Sequence, residues 1–323
     1  MRGRKMLRAE VYWKSLLLAI PIASLASAPF LLKSAYFVHF FSLLFLFLAL
    51  ASAWNILGGY AGQVCLGTGA FFGIGAYSMM LSLKANLPLY ASIIAGGIAA
   101  SCLALLIIPL FRLRGIYFAI GTLFLPDIIR TFVLYFSDVT GGAMGIYLPL
   151  IRDPLFAYTF LLAVSVCTIL VTHFLVNSRY GLAMRAIRDD QDAGEMYGIN
   201  ATKLKTMCLL TYAFLCGLAG SGYALYMGFL DPYTVFHLTW SIAPVFMCII
   251  GGQGTIWGPI VGSIIYVVLS EQLTFIVGEL HLLVFGGILI AVILLAPYGI
   301  VGALKRLSSN FVRGWKACSY AKT

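Results

Sequence analysis

The sequence predicts an all-α polytopic membrane protein of about ten transmembrane helices, some short or broken, because runs of ~20 apolar residues recur along it. Of its 323 residues, 62% are hydrophobic and 10% charged, and the mean hydropathy is +0.99. A soluble domain carries roughly 25% charged residues, so a soluble core of this size could not be covered. The basic residues, which give a net charge of +10, lie between the apolar runs rather than in one patch. That placement marks membrane topology and argues against a nucleic-acid partner.

The runs fall at 15–32, 36–57, 66–83, 88–111, 116–136, 154–177, 206–228, 240–252, 257–270 and 281–297. The pair at 240–252 and 257–270 is short, with Gly251-Gly252-Gln253-Gly254-Thr255 between its members, and reads as two short crossings or one broken one. Charge decides between these. With ten crossings and an inside N-terminus, seventeen basic residues collect on the cytoplasmic side: Arg2 to Lys14, Arg112 and Arg114, Arg179 to Lys205, and Lys305 to Lys322. Lys33, Lys84 and Arg152 stay outside, and Arg130 lies within a run. The positive-inside rule favours this arrangement. It predicts a cytoplasmic N-terminus at 1–14, a membrane domain at 15–297 and a basic cytoplasmic tail at 298–323. The start resembles a secretory signal ending in Ala26-Ser27-Ala28, but Pro29 follows the cleavage point, so an uncleaved first helix is expected.

Enzymatic motifs are missing from the sequence. His39, His173, His237 and His281 are scattered without metal-ligand spacing, and no Gly-x-x-x-x-Gly-Lys-Ser/Thr loop is present to cradle phosphates. ATP hydrolysis, if the process uses it, must come from a partner, and no cofactor is expected on this chain. The seven cysteines read as small packing residues of a reduced protein. Asp127 and Arg130, three apart within the fifth run, are the charges placed in hydrocarbon. They form either a polar point on a substrate path or a self-paired structural contact where a helix restarts after Pro126. The sequences Ile56-Leu57-Gly58-Gly59-Tyr60-Ala61-Gly62-Gln63 and Ile249-Ile250-Gly251-Gly252-Gln253-Gly254 echo each other, each ending one run and opening another. They fit interrupted helices on a permeation path and close helix packing equally well.

The extended polar segment at 178–205 is the most informative. Residues 181–197 suit one short amphipathic helix, with Leu182, Ala186 and Asp189 or Asp190 near one face. Arg185, Arg188 and Asp192 lie near another, and Gly198 is placed as the C-cap glycine. The run Arg185-Ala186-Ile187-Arg188-Asp189 followed by Gly198-Ile199-Asn200 resembles the cytoplasmic coupling loop of branched-chain amino acid ABC permeases of the LivM type. Ala53-Trp54-Asn55 through Gly73-Ile74-Gly75-Ala76-Tyr77 is similar to the family's early signature. So are Arg114-Gly115-Ile116-Tyr117, leading to Thr140-Gly141-Gly142-Ala143-Met144, and the late turn Gly251 to Pro259.

The resemblance implies a permease subunit of a bacterial inner-membrane importer, working with a second permease of the LivH type, two ATPase subunits and an extracytoplasmic binding protein. Arg185, Arg188, Asp189, Asp190 and Glu195 would contact the ATPase, with Asp192, Ala193, Gly194 and Gly198 completing the coupling element. Gly58, Gly59, Gln63, Asp127, Arg130, Gly141, Gly142, Gly251, Gly252 and Gln253 are the candidate translocation residues. Gly194 stands where the family often has alanine, at a cost of roughly 1 kcal/mol of helix propensity, and Asp192 where a nonpolar residue or Glu is usual. Leucine, isoleucine and valine are the expected cargo. A closely similar permease for urea or short-chain amides, or an ion-coupled secondary transporter, is the alternative.

Overall fold

The computed structural model describes residues 35–113, 115–148, 153–277, 284, 286, 287, 290 and 299–302. The expected first run and most of the last run and of the basic tail lie outside the described residues. Within them, six stretches are long and apolar enough to cross a membrane: Tyr36–Tyr60, Leu89–Arg112, Ile116–Tyr135, Pro154–Val176, Ala201–Met227 and Pro232–Gly251. Helix is the form that apolar runs must take there, because it satisfies the backbone internally where no water is available.

The helices used below are α1 (Ala35–Trp54), α2 (Thr68–Lys84), α3 (Leu89–Ile107), α4 (Ile116–Leu123), α5 (Leu125–Tyr135) and α6 (Pro154–Val176). They continue with α7 (Arg179–Asp189), α8 (Gln191–Met196), α9 (Ala201–Met227), α10 (Thr239–Gly251) and α11 (Trp257–Val277). The pair α10 and α11 forms a hairpin of two helices around the Gly251–Thr255 turn, two separate elements rather than one broken run, with α11 running to 21 residues and past the expected 257–270. The fifth run, expected as one helix over 116–136, is instead two, breaking at Phe124. Pro126 in the first turn of α5 lacks the N–H that a continuous helix needs at that point.

The bundle is organised around α9, which packs against α1, α2, α3 and α6. Small residues let backbones touch there. A Cβ on Gly75 would lie 2.3 Å from the Gly217 carbonyl oxygen, and one on Gly220 would lie 2.0 Å from that of Phe72. Ser221 adds glue, its hydroxyl donating to the Gly217 and Ile93 carbonyls at 3.1 and 3.3 Å. An aromatic cluster holds α10 to α1 and α2, with the Trp240 ring stacked on Phe72 at 4.5 Å and on Phe47 at 5.4 Å. Cys65, Cys208, Cys216 and Cys248 are buried and unbridged, and Cys102 and Cys167 are exposed and unbridged.

The connections gather at two ends. One end carries 60–68, 176–201 and 251–257 together with Arg112, and we call it the basic end. At the opposite end β1 (Ile146–Tyr147) pairs antiparallel with β2 (Phe229–Leu230), Ile146 facing Leu230, and ties the 141–148 loop to the end of α9. The basic residues of 179–205 therefore share one end with both glycine-rich turns, the grouping that the charge pattern demands.

Candidate functional site

The segment between α6 and α9 forms two helices, not the single helix expected over 181–197. Asp190 causes the break, because its backbone is extended (φ −155°, ψ 116°) and its carboxylate caps the next helix. The Asp190 Oδ1 accepts from the Asp192 and Ala193 N–H groups at 2.9 and 3.1 Å. Ser178 caps α7 in the same way through the Tyr180 N–H at 3.2 Å. Gly198 terminates α8 as anticipated, at φ +83°. Its N–H bonds the Glu195 carbonyl at 2.9 Å and the Ile199 N–H bonds that of Gly194 at 3.2 Å, the paired bonds of a Schellman cap.

The buried stripe of α7 also differs from expectation. Gly181, Met184 and Ile187 face the bundle at i,i+3 spacing, while Leu182 is 68% exposed. The helix begins two residues earlier than expected, at Arg179, and Gly181 sits so tightly against Val176 that a Cβ would lie 2.0 Å from its carbonyl oxygen. Outward the segment presents Arg185, Asp189, Asp192, Glu195, Met196 and Tyr197, the last two nearly fully exposed. Gln191 steadies Glu195 by donating to its Oε1 at 3.0 Å.

Arg188 points its guanidinium back at the bundle. Its Nη1 donates to the Gly59 carbonyl at 2.7 Å. Gly59 lies in a π-helical turn, Asn55–Tyr60, that ends the Tyr36–Tyr60 stretch. Such turns leave carbonyls without a helical partner and occur often at functional sites. The buried Asn55 reaches from this turn to the other glycine-rich turn. Its Oδ1 accepts from the Gly254 N–H and its Nδ2 donates to the Thr255 carbonyl, both at 2.9 Å. Lys205, at the start of α9, donates to Gln63 Oε1 and Gln191 Oε1, each at 2.8 Å. The two echoing sequences thus meet at the basic end, closed against each other and against the α7–α8 pair.

After the π-turn the chain runs without helix through 61–67 before α2 begins. Side chains from three other elements bond the backbone of this stretch and of the first turn of α2. The Trp54 Nε1 donates to the Cys65 carbonyl at 2.7 Å, the Leu66 N–H to Thr122 Oγ1 at 3.0 Å, and the Gly69 N–H to Ser241 Oγ at 3.0 Å. Buried backbone outside regular helix needs such partners.

Of the remaining candidates, Gly251 and Gly252 are buried at the α10–α11 turn and Gln253 is exposed beside them. Gly58 lies under the Trp54 ring. Asp127 and Arg130 pair on α5 at 2.9 Å, and the guanidinium carbon of Arg130 stands 5.6 Å from the Tyr233 ring centre. Gly141 and Gly142, at φ +75° and +54°, shape the turn after α5 at the opposite end. These candidates therefore fall into separate places rather than one continuous site. Sequence reasoning did not single out Asn55, Lys205 or Thr122. The available signal for Asn55 was a lone amide inside an apolar run next to a Gly pair.

Comparison with known proteins agrees with this architecture. The family described as "Branched-chain amino acid transport system / permease component" matches residues 36–293. The high-affinity branched-chain amino acid transport system permease protein LivM of Escherichia coli strain K12 is 28% identical over 293 residues, covering 80% of this chain and 68% of that protein. A probable LivM of Methanocaldococcus jannaschii is 25% identical over 178 residues, 53% of this chain and 51% of that one. The E. coli K12 permease protein LivH is 28% identical over 134 residues, 41% of this chain and 42% of that protein. The matched region contains the π-turn, the α7–α8 pair and the α10–α11 turn, and the chain belongs to the branched-chain amino acid transport system permease family.

Proposed function

We propose that this chain is a LivM-type permease subunit of an ATP-driven importer that carries leucine, isoleucine and valine across the bacterial inner membrane. The family match over 36–293 carries this reading. The α7–α8 pair supports it, being capped at both ends, fastened on its inner face and open on its outer one, as a docking element for another protein requires. In this reading Arg185, Asp189, Asp192, Glu195 and the exposed Leu182, Met196 and Tyr197 seat in an ATPase subunit. Asp190, Ala193, Gly194 and Gly198 shape the element rather than touch the partner.

The remaining assignments follow from the same reading. The chain crosses the membrane about ten times, with the basic end and both termini cytoplasmic. A second permease of the LivH type, to which this chain is also similar, completes the membrane unit. The Asp127–Arg130 face of α5 lines the path between the two permeases, and the binding protein delivers cargo at the opposite end near Gly141 and Gly142. ATP is hydrolysed by the partner subunits.

The test is labelled leucine uptake in cells lacking their own branched-chain importers, expressing this chain with its neighbouring permease, ATPases and binding protein. Uptake that requires this chain and ATP supports the proposal. Entry of urea or an amide in place of leucine would move the substrate, and uptake by this chain alone that collapses with an uncoupler would overturn the mechanism.

A further inference from the structure

We infer that Arg188 and Asn55 are positioning residues that join the α7–α8 pair to both glycine-rich turns, so that a displacement of α7 is delivered directly to the ends of α1, α10 and α11. The inference rests on the proposed function and deepens it, by moving Arg188 from the set that meets the ATPase to the set that transmits its movement.

Three observations carry it. The first is bonding: one Arg188 nitrogen holds the Gly59 carbonyl at 2.7 Å, and Asn55, one turn earlier in the same π-helix, holds Gly254 and Thr255 at 2.9 Å. A cation at the C-terminal end of a helix also opposes the negative pole of its dipole. The second is space. A Cβ on Gly254 would stand 2.3 Å from Arg188 Nη1, and one on Gly62 would stand 2.9 Å from Arg188 Cγ. One on Gly59 would stand 1.8 Å from Asn55 Oδ1. Gly59 leaves room for the Asn55 amide, while Gly62 and Gly254, both at φ +72°, turn the backbone closely around the Arg188 side chain. The third is continuity beyond the turn. Thr255 Oγ1 donates to the Gly252 carbonyl at 2.8 Å and accepts from the Gly258 N–H at 3.0 Å, so the linkage runs from the end of α10 into the first turn of α11. Two turns that each end one helix before the next begins are thereby held as one unit, and that unit is grasped by α7.

The complete importer, reconstituted in proteoliposomes with its partner permease, ATPases and binding protein, tests this with Arg188→Met, which keeps the stem and removes the guanidinium. The complex should still co-purify and keep its basal ATPase rate, while leucine uptake per ATP falls on the order of tenfold, the scale of a lost charge-assisted bond. Arg188→Lys, which can still donate to Gly59, should restore much of the uptake. Loss of the ATPase from purified Arg188→Met would make Arg188 a docking residue and overturn the inference. So would full coupled uptake in that variant. If the parent complex itself carries no leucine on ATP, the functional reading beneath the inference has failed instead, and that failure shows before any variant is measured.

Discussion

At the basic end, Asn55 and Arg188 direct their polar atoms to backbone partners within the chain, whereas on α5 Asp127 and Arg130 pair with each other across a half-open face. The surroundings differ as much as the bonding. In the apolar window of Tyr36–Tyr60, 78% of residues are buried inside the chain, against 22% for Ile116–Tyr135. Ile116, Tyr117, Phe124, Phe132 and Tyr135 all project outward from that second stretch. The first region is complete in a single chain. The second combines broad apolar surface with an ion pair, a mixture that favours cover by protein or water around the charges over bare lipid. In the proposed importer the first region would receive force and the second would meet the partner permease.

The contrast is broken most directly at Asn55. Leucine is of similar size but leaves the Gly254 N–H and the Thr255 carbonyl without their amide partners. Buried unsatisfied groups cost about 1–3 kcal/mol each, so Asn55→Leu is expected to lose about 3 kcal/mol or more. The measure is the melting temperature of the purified protein in detergent, together with its folded yield. A variant that melts with the parent would mean that the two turns are held by packing and that the amide adds nothing.

The next effect is local to the coupling segment. Gly198 has open space around its missing Cβ but a φ of +83°, so Gly198→Ala tests backbone strain without a clash. The left-handed conformation costs an L-residue about 1–2 kcal/mol. The loss should appear as faster amide hydrogen exchange at Glu195 to Ile199 while α7 stays protected. Loosening that spreads into α7 would show that the two helices are a single unit after all.

A smaller effect is expected on the open face. Asp127 is 55% exposed and Arg130 30%, and exposed ion pairs contribute up to about 1 kcal/mol. Asp127→Asn should therefore leave melting close to that of the parent and reduce uptake. A collapse of stability comparable to that of Asn55→Leu would mean that the pair is a structural lock, and the contrast between the two regions would disappear.

What could be read from the sequence follows from how local the relevant physics is. Apolar run length recovers the six long apolar stretches among the described residues, and the placement of Arg and Lys marks the connections that share one end, since both depend on neighbours along the chain. Gly198 was legible for the same reason. The break at Asp190 was not, because its capping role competes with a helical charge pattern running through it, and a side chain that can bond its own backbone decides the matter locally. The phase of α7 was misjudged because Leu182 is apolar by composition yet lies on the outward side, while Met184 meets Cys208 across 24 residues of chain. The echo of the two glycine-rich turns was visible, but their union was not. The Asn55 bonds to Gly254 and Thr255 join residues about 200 positions apart, and no periodicity reports such a bond.

The finest test separates the two helices of the coupling segment. α7 is held by Met184, Ile187 and the Arg188 bond, whereas α8 spans six residues and carries a buried glycine at its middle. A Cβ on Gly194 would meet Ile187 Cγ1 at 3.5 Å, an ordinary contact, and the backbone there is helical. Alanine should thus fit without strain and gain about 0.5–1 kcal/mol through reduced freedom of the unfolded chain and better helix propensity. The expected result for Gly194→Ala is slower amide exchange in α8 with leucine uptake unchanged, because the outward residues keep their positions. Slower exchange with reduced uptake would mean that α8 works by yielding when the ATPase moves. The glycine would then be the compliant half of a pair whose other half, through Arg188, is held fast to the bundle.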